Sequence, residues 1–434
     1  MSSSIREYVA AHPLFCHHDH HLDFASFDAG RGGLDFRGLL GYAEGDLATA
    51  AGGRPDEKEP GRERIERLWR FVRTTGYGRA VELCCRELFG LEYGPANFDR
   101  ITEALRALVG DRPAPEIYDE LVKGRANCPW VIQDGIRLEN DWISPGILSF
   151  RADRYPPYYR FAFRPDALFS IVDDAPIAAL ERASGLEARS LDGLARALDA
   201  VVDRLRSSVP LASFKIGIAY DRDLRVGAPT RHEAERAFDR IRNRKLAWGG
   251  VQQNRGAVNA REGRVLSDWL LRRFVERASD DDIPVQVHTG YLAGNWGALE
   301  GSRAIHLLPL FDTYRRVRFD IFHASWPWAE ELGAIAKNYP NVHLDMCWAW
   351  TMSPASCERI LYQWLDEVPF NKIFAFGADT IYPWCDVGYA AQARLGIGRV
   401  LERKVESGAF SEATAREVAD AIMLGNGLEF YHLG

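Results

Sequence analysis

Eight short apolar or β-branched runs recur along the chain with helical stretches between them, and this alternation constrains the fold more than any other feature. The runs are Pro13–Cys16, Trp130–Ile132, Arg160–Phe163, Ala212–Ile218, Ile283–Val287, Val317–Phe322, Val342–Met346 and Lys372–Phe376. Strands covered on both faces read as continuous apolar runs, and their alternation with helices implies parallel βα units. Eight such units over 434 residues predict an α/β fold, a (β/α)8 TIM barrel. A doubly wound sheet is the competing topology, but no G-x-G-x-x-G follows the first run. The interval between the first two runs is different. Ile65, Leu68, Trp69 and Val72 recur at helical spacing. Phe98, Ile101, Leu105, Leu108 and Val109 do the same, as do Ile117, Tyr118, Leu121 and Val122. Residues 35–125 are therefore expected to be a helical insertion after the first strand, within a single barrel spanning 1–434. The polar stretch 52–64 is expected to be an exposed loop. Further on, helix starts are read at Ser190, at Thr230–Glu233 with capping-box spacing, and at Ser267.

Composition narrows the function classes. Hydrophobic residues are 47% and charged residues 26%, which is globular usage and excludes a disordered chain. A formal charge of −7 leaves no basic footprint for nucleic acid or for an anionic membrane surface. No apolar run reaches the roughly 18–20 residues that span a bilayer. The N-terminus lacks an apolar leader core, and the seven scattered cysteines read as reduced thiols, so a cytoplasmic location is expected. The expected partner is a small-molecule substrate, with self-association left open.

The chemistry lies at the strand ends. His17-His18-Asp19-His20-His21 ends the first run, His288 the fifth, His323 the sixth and Asp379 the eighth. In a barrel these positions share the C-terminal mouth. Side chains alternate along a strand, so His18 and His20 face inward together and can share a cation. His288 and Asp379 could complete the set, one that suits Zn²⁺ and leaves a position open for water. A register error of one residue would instead turn Asp19 and His21 inward, since His17 and His21 have the opposite pleat phase. Singly, each residue also has a plain reading: a solvated turn, a hydrogen-bonded histidine, or an Asx-turn. His12, His232, His306 and His432 are read as structural, and His343 as barrel packing. Lys215, in an otherwise apolar fourth strand, is either a substrate or metal-bridging group or a snorkelling cation. Arg164 is an anion clamp or a rim charge. Trp296, Trp326, Trp328, Trp348, Trp350 and Trp384 follow strands five to eight, as ligand walls or as loop packing.

Several segments together resemble the amidohydrolase superfamily, in particular its amidohydrolase-2 branch. They are His18-Asp19-His20, Val287-His288-Thr289-Gly290, Phe322–Trp328, Tyr339–Asp345, Phe376-Gly377-Ala378-Asp379 and Asn426–Leu433. The insertion, Gln133-Asp134-Gly135, Lys215, Tyr220 and Arg222 are similar to the amidohydrolase domain that some proteins carry fused to a glutamine-synthetase-like domain. Uronate isomerases are a more remote similarity. The resemblance implies one divalent ion, Zn²⁺ foremost with Mn or Fe as alternatives, held by His18, His20, His288 and Asp379. It implies Asp379 as proton acceptor, His323 as carbonyl-polarising group, and Lys215 and Arg164 as substrate-carboxylate ligands, with Trp326 and Trp348 among the substrate walls. The implied reaction is hydrolysis of a C–N, amide-type bond. Decarboxylation, uronate-type isomerisation and a non-catalytic ligand-binding barrel are the alternatives.

Overall fold

The structure is a computed structural model and describes residues 4–52, 61–141, 144–243 and 260–433. Eight parallel strands form one sheet in sequence order: β1 Phe15–Asp19, β2 Trp130–Arg137, β3 Tyr159–Arg164, β4 Leu211–Ile216, β5 Val285–Val287, β6 Phe319–Ile321, β7 Val342–Asp345 and β8 Ile373–Phe374. Each coincides with an expected run, shifted by a few residues at its ends. Beyond β8 the chain rejoins β1. The His17 amide donates to Phe376 O at 3.0 Å, and the Asp379 amide to His18 O at 3.1 Å. The fold is a nearly closed TIM barrel.

Between β1 and β2 the chain is helical. Its helices include Phe24–Gly30, Ala43–Ala50, Arg62–Val72, Gly76–Phe89, Phe98–Val109 and Ala114–Tyr118. The predicted apolar stripes are the buried faces, with Ile65, Leu68, Trp69 and Val72 inward on one helix and Phe98, Ile101, Leu105 and Val109 on another. Of the expected loop at 52–64, residues 53–60 lie outside the described residues, and 62–64 form the first turn of a helix. The Ser190 cap is present, its side chain accepting from the Gly193 amide. So is the Thr230–Glu233 box, with the Thr230 amide donating to Glu233 Oε2 at 2.8 Å. The start at Ser267 is corrected: the helix runs Ala260–Asp281 and Ser267 is buried within it, its hydroxyl oxygen accepting from the Ile171 amide at 2.9 Å. Among the described residues, no helix is long and apolar enough to cross a membrane.

Inside the barrel, Phe15, Ile132, Ala162, Phe374, Phe430 and Tyr431 form a small core separate from the main one. The last two come from the end of the chain, after the helix Asn426–Phe430 packs on β1 and β8. Outside, the helices Gly76–Phe89 and Pro383–Glu406 approach so closely that a Cβ on Gly388 would lie 2.6 Å from Ala80 O. Backbone cannot yield as a flexible side chain can, so overpacking there forces the helices apart. Gly388→Ala should lower the unfolding free energy by about 1–3 kcal/mol in urea titration. An unchanged midpoint would show that the two helices are not in register-specific contact.

Candidate active site

The site assembles from strand ends, where the chain leaves the sheet and side chains turn toward the mouth. His18 and His20 leave β1, and His18 Nε2 lies 3.2 Å from His20 Nε2. Asp379 follows β8, its Oδ1 3.2 Å from His20 Nε2 and 3.8 Å from His18 Nε2. These three residues offer ligand atoms all within 4.8 Å of one another. His323 follows β6 and reaches the other carboxylate oxygen, Nε2 to Oδ2 at 3.8 Å. His288 follows β5 and stands one step away, its Nδ1 2.8 Å from His323 Nε2. The structure thus brings His18, His20 and Asp379 together, with His323 on the far side of the carboxylate. His288 is joined to them through His323.

Proton bookkeeping shows what the imidazoles can do. The His323 Nδ1–H is placed to donate to Cys347 O at 2.9 Å, and the His288 Nε2–H to Tyr291 O at 2.9 Å. Burial holds His288 well below the ordinary histidine value and His323 down to about 4, so both rings are neutral. With those hydrogens committed, His288 Nδ1 and His323 Nε2 face each other as bare lone pairs and call for a proton or a cation. Burial likewise keeps His18 neutral. Neither His18 Nδ1 nor His20 Nδ1 has a hydrogen-bond partner. Burial alone would push Asp379 up, but His18, His20 and His323 outweigh it and hold the carboxyl well below the usual range. Two imidazoles and an ionised carboxylate are a donor set that fits a borderline divalent cation.

Backbone strain accompanies the convergence. His323, Trp348 and Asp379 sit at φ of 64°, 60° and 53°, the left-handed region that costs an L-residue roughly 1–2 kcal/mol. Buried packing holds them there. Trp348 lies edge-on to His323 with centroids 5.2 Å apart, and tilted against Tyr42 at 4.6 Å.

Two residues outside the sequence-derived set belong to the site. Asp134, within β2, places Oδ2 3.8 Å from His18 Nε2, and it accepts from Arg164 at 3.0 Å and from Arg137. Burial would raise its pKa; Arg137 and Arg164 hold it well below. Gln133 pairs with Asp19, so Asp134 lies level with the end of β1 although β2 continues to Arg137, and a rule that selects strand ends passes over it. Tyr42 donates to Asp379 Oδ1 at 3.2 Å from within the helical insertion, and no sequence signal marks it.

The expected substrate groups separate. Arg164 is bound to Asp166 at 2.5 Å and to Asp134, and it lines a cavity of about 870 Å³ that opens beside His20. Tyr42, Tyr220 and Tyr382 also line it. Trp348 is buried behind His323 and Trp326 packs on Tyr291. Trp350 and Trp384 are core residues and Trp296 is 87% exposed. The second strand-end alternative also resolves: Asp19 and His21 lie in a cluster with Asp386, His21 Nε2 being 3.3 Å from Asp19 and 3.1 Å from Asp386. The expected pleat phase of His17 is corrected. The β1–β2 register shifts between Cys16 and Asp19, and His17 stacks on Phe374 inside the barrel.

A parallel barrel with imidazoles and a carboxylate at the mouth of its strands defines a metal-capable TIM-barrel class. The family model for Amidohydrolase matches residues 194–433, and the chain belongs to that family, the amidohydrolase-2 branch of the superfamily. Protein fluG of Emericella nidulans is 27% identical over 248 residues, covering 56% of this chain and 28% of the relative, so the match spans little more than a quarter of that protein. Among solved structures, a protein of Lactobacillus casei described as a metal-dependent hydrolase aligns with a TM-score of 0.68 and 15% identity, covering 100% of this chain and 98% of its own. A uronate isomerase of Thermotoga maritima gives 0.76 and 12%, covering 98% and 96%. A glucuronate isomerase of Caulobacter crescentus gives 0.74 and 17%, covering 99% and 93%. These structures share the fold.

Lys215 supplies a test of the site's electrostatics. Its Nζ lies 3.4 Å from the Phe322 ring centroid and has no hydrogen-bond partner. Burial lowers its pKa from 10.5 to about 8. The folded state therefore binds the lysine proton less well than the unfolded state. The penalty is full below about pH 8 and vanishes above about pH 10.5. In protein stripped of metal by chelation, Lys215→Met should raise the unfolding free energy at pH 7 by up to about 3 kcal/mol, with the gain fading as pH rises. A gain that grows with pH in urea titrations would mean the ammonium is paired.

Proposed function

We propose that the chain is a metal-dependent hydrolase cleaving the C–N bond of a small amide-type substrate. The observation that carries this reading is the meeting of His18, His20 and Asp379, of which His20 lines a cavity large enough for a small molecule. Membership of the amidohydrolase family supports it.

The residues that would hold a divalent ion, Zn²⁺ foremost, are His18, His20 and Asp379. His288, expected from the sequence as a fourth ligand, stands behind His323. Bound there, such an ion supplies Lewis acidity and lowers the pKa of water toward about 7. The chain's own residues do the rest. Asp379, ionised and steadied by the Tyr42 hydroxyl, accepts the proton of the attacking water and passes it to the leaving nitrogen. His323 is oriented by the Cys347 carbonyl, and its bare Nε2, facing His288 Nδ1, takes up a proton released in the reaction, which the two rings then share. Asp134, fixed by two arginines, adds a negative charge 3.8 Å from His18 Nε2, beside the position the ion would take. Tyr42, Tyr220 and Tyr382 give the substrate an aromatic wall.

The same cavity also bears Arg37, Arg137 and Arg164, which favours one second reading, isomerisation of a sugar acid. Solvent deuterium retained at C2 of the product marks that reaction, whereas hydrolysis places solvent oxygen in the carboxyl product.

The double variant His18→Ala, His20→Ala should lose one equivalent of tightly held metal and cut amide turnover about 10³-fold or more, a loss of several kcal/mol of transition-state stabilisation. Metal analysis and assays on an amide panel check it. Wild-type levels of either would overturn the assignment.

A further inference from the structure

Barrel interiors are usually filled by branched apolar side chains. Here one interior layer is polar. Lys215 of β4, Gln286 of β5 and Asp320 of β6 are register partners, and His17 of β1 and Asp345 of β7 join them. All five are at most 1% exposed.

We propose that this layer, below the mouth, binds a second divalent cation between His17, Asp320 and Asp345. His17 Nδ1 lies 3.6 Å from Asp345 Oδ2 and 4.0 Å from Asp320 Oδ2, and the three ligand atoms fit within a 4.8 Å sphere of mutual distance. Donor accounting points to a cation. Gln286 spends its amide hydrogens on His17 O at 2.9 Å and Tyr431 Oη at 2.8 Å. Tyr431 in turn donates to Asp320 Oδ2. The Cys347 amide fixes Asp345 Oδ1 at 2.5 Å. Left without a permanent donor are His17 Nδ1, Gln286 Oε1, Asp320 Oδ1 and Asp345 Oδ2. These are one imidazole nitrogen and three acceptor oxygens; the Asp320 and Asp345 carboxyls also meet in a hydrogen bond that needs a shared proton, and a cation would take that proton's place. Lys215 does not answer them, because its ammonium rests on the Phe322 ring and bonds to neither carboxylate.

Two buried carboxyls side by side either share a proton or hold a cation between them, and an imidazole nitrogen aimed at the pair completes a ligand set for the cation. A nitrogen and two carboxylates from three strands suit a borderline ion such as Mn²⁺ or Zn²⁺. The ion would tie β1, β6 and β7 together directly beneath the mouth. Its role is structural, and the proposal is independent of the mouth chemistry.

The test is metal stoichiometry. The full chain is stripped with a chelator, reloaded with Mn²⁺ alone or Zn²⁺ alone, and measured by plasma mass spectrometry. Wild type should hold two equivalents, His18→Ala/His20→Ala one, and His17→Gln or Asp345→Asn one. A double mouth variant that folds and holds none overturns the proposal. Because a buried substitution can unfold the barrel, wild-type crystals loaded with Mn²⁺ give a second measurement. An anomalous peak between His17, Asp320 and Asp345 supports the site. A mouth peak with no anomalous signal in the interior means a shared proton or water, and overturns it. An interior peak with an empty mouth would leave this inference standing while the proposed function fails.

Discussion

Where β8 meets β1, the His17 amide donates to Phe376 O at 3.0 Å and the Asp379 amide to His18 O at 3.1 Å. These bonds place a carboxylate from the end of the chain beside imidazoles from its beginning. Asp19 reinforces the seam. Its Oδ1 accepts from the amide of His20, a site residue, at 3.1 Å and from the amide of Thr380, the residue after Asp379, at 2.8 Å. Its Oδ2 faces His21, which bonds Asp386 on the long closing helix. The Asp19 carboxyl is thus shared between backbone and helix, and the spacing of His20 and Asp379 follows from it. Contacts of such sequence separation form only when intervening strands have paired, so the site is a property of the completed barrel.

The site also concentrates costs that the rest of the molecule must offset. Three of its residues adopt left-handed backbone conformations without being glycine. Its charges divide into two kinds. Asp134 and Asp379 are buried but stay ionised because arginines or imidazoles face them. Lys215 is equally buried and has no such partner. A group held charged by its neighbours contributes to the fold. An unpaired ammonium subtracts from it, which suggests selection for what happens at the mouth rather than for stability.

Much of this was legible in the sequence because the signals were physical. Strands covered on both faces must be apolar throughout, so β1–β8 announce themselves, and the helices after β1 show their 3.6-residue stripes. His18, His20, His323 and Asp379, which the structure brings close together, all satisfy one rule, position at a strand end. The rule failed where a strand's end was misjudged. The second apolar run ends at Ile132, whereas β2 continues to Arg137 and carries Asp134 level with the end of β1. Pleat arithmetic failed at His17, where the register shift in β1 turns two successive histidines inward. Ser267 looked like a cap because an apolar stripe follows it, but the same stripe extends before it through Leu266 and Gly263. Tyr42 and the pairing of Arg164 with Asp166 depend on tertiary distances that no local pattern encodes.

The fold itself does not choose a reaction, since a structure described as a metal-dependent hydrolase and two sugar-acid isomerases share it with this chain, with TM-scores of 0.68, 0.76 and 0.74. The choice must lie in the cavity wall, and there the arginines are already engaged. Arg164 is held by Asp134 and Asp166, Arg137 by Asp134 and Asp141, and Arg37 by Asp35. At Arg137 and Arg164 a substrate carboxylate would compete with their ion pairs to the buried Asp134, whose charge depends on both. What the wall offers without such competition is the aromatic surface of Tyr42, Tyr220 and Tyr382, with Leu138 and Ile381 beside them. Such a wall recognises a neutral, partly apolar molecule better than a sugar acid, and this weighs toward the amide reading.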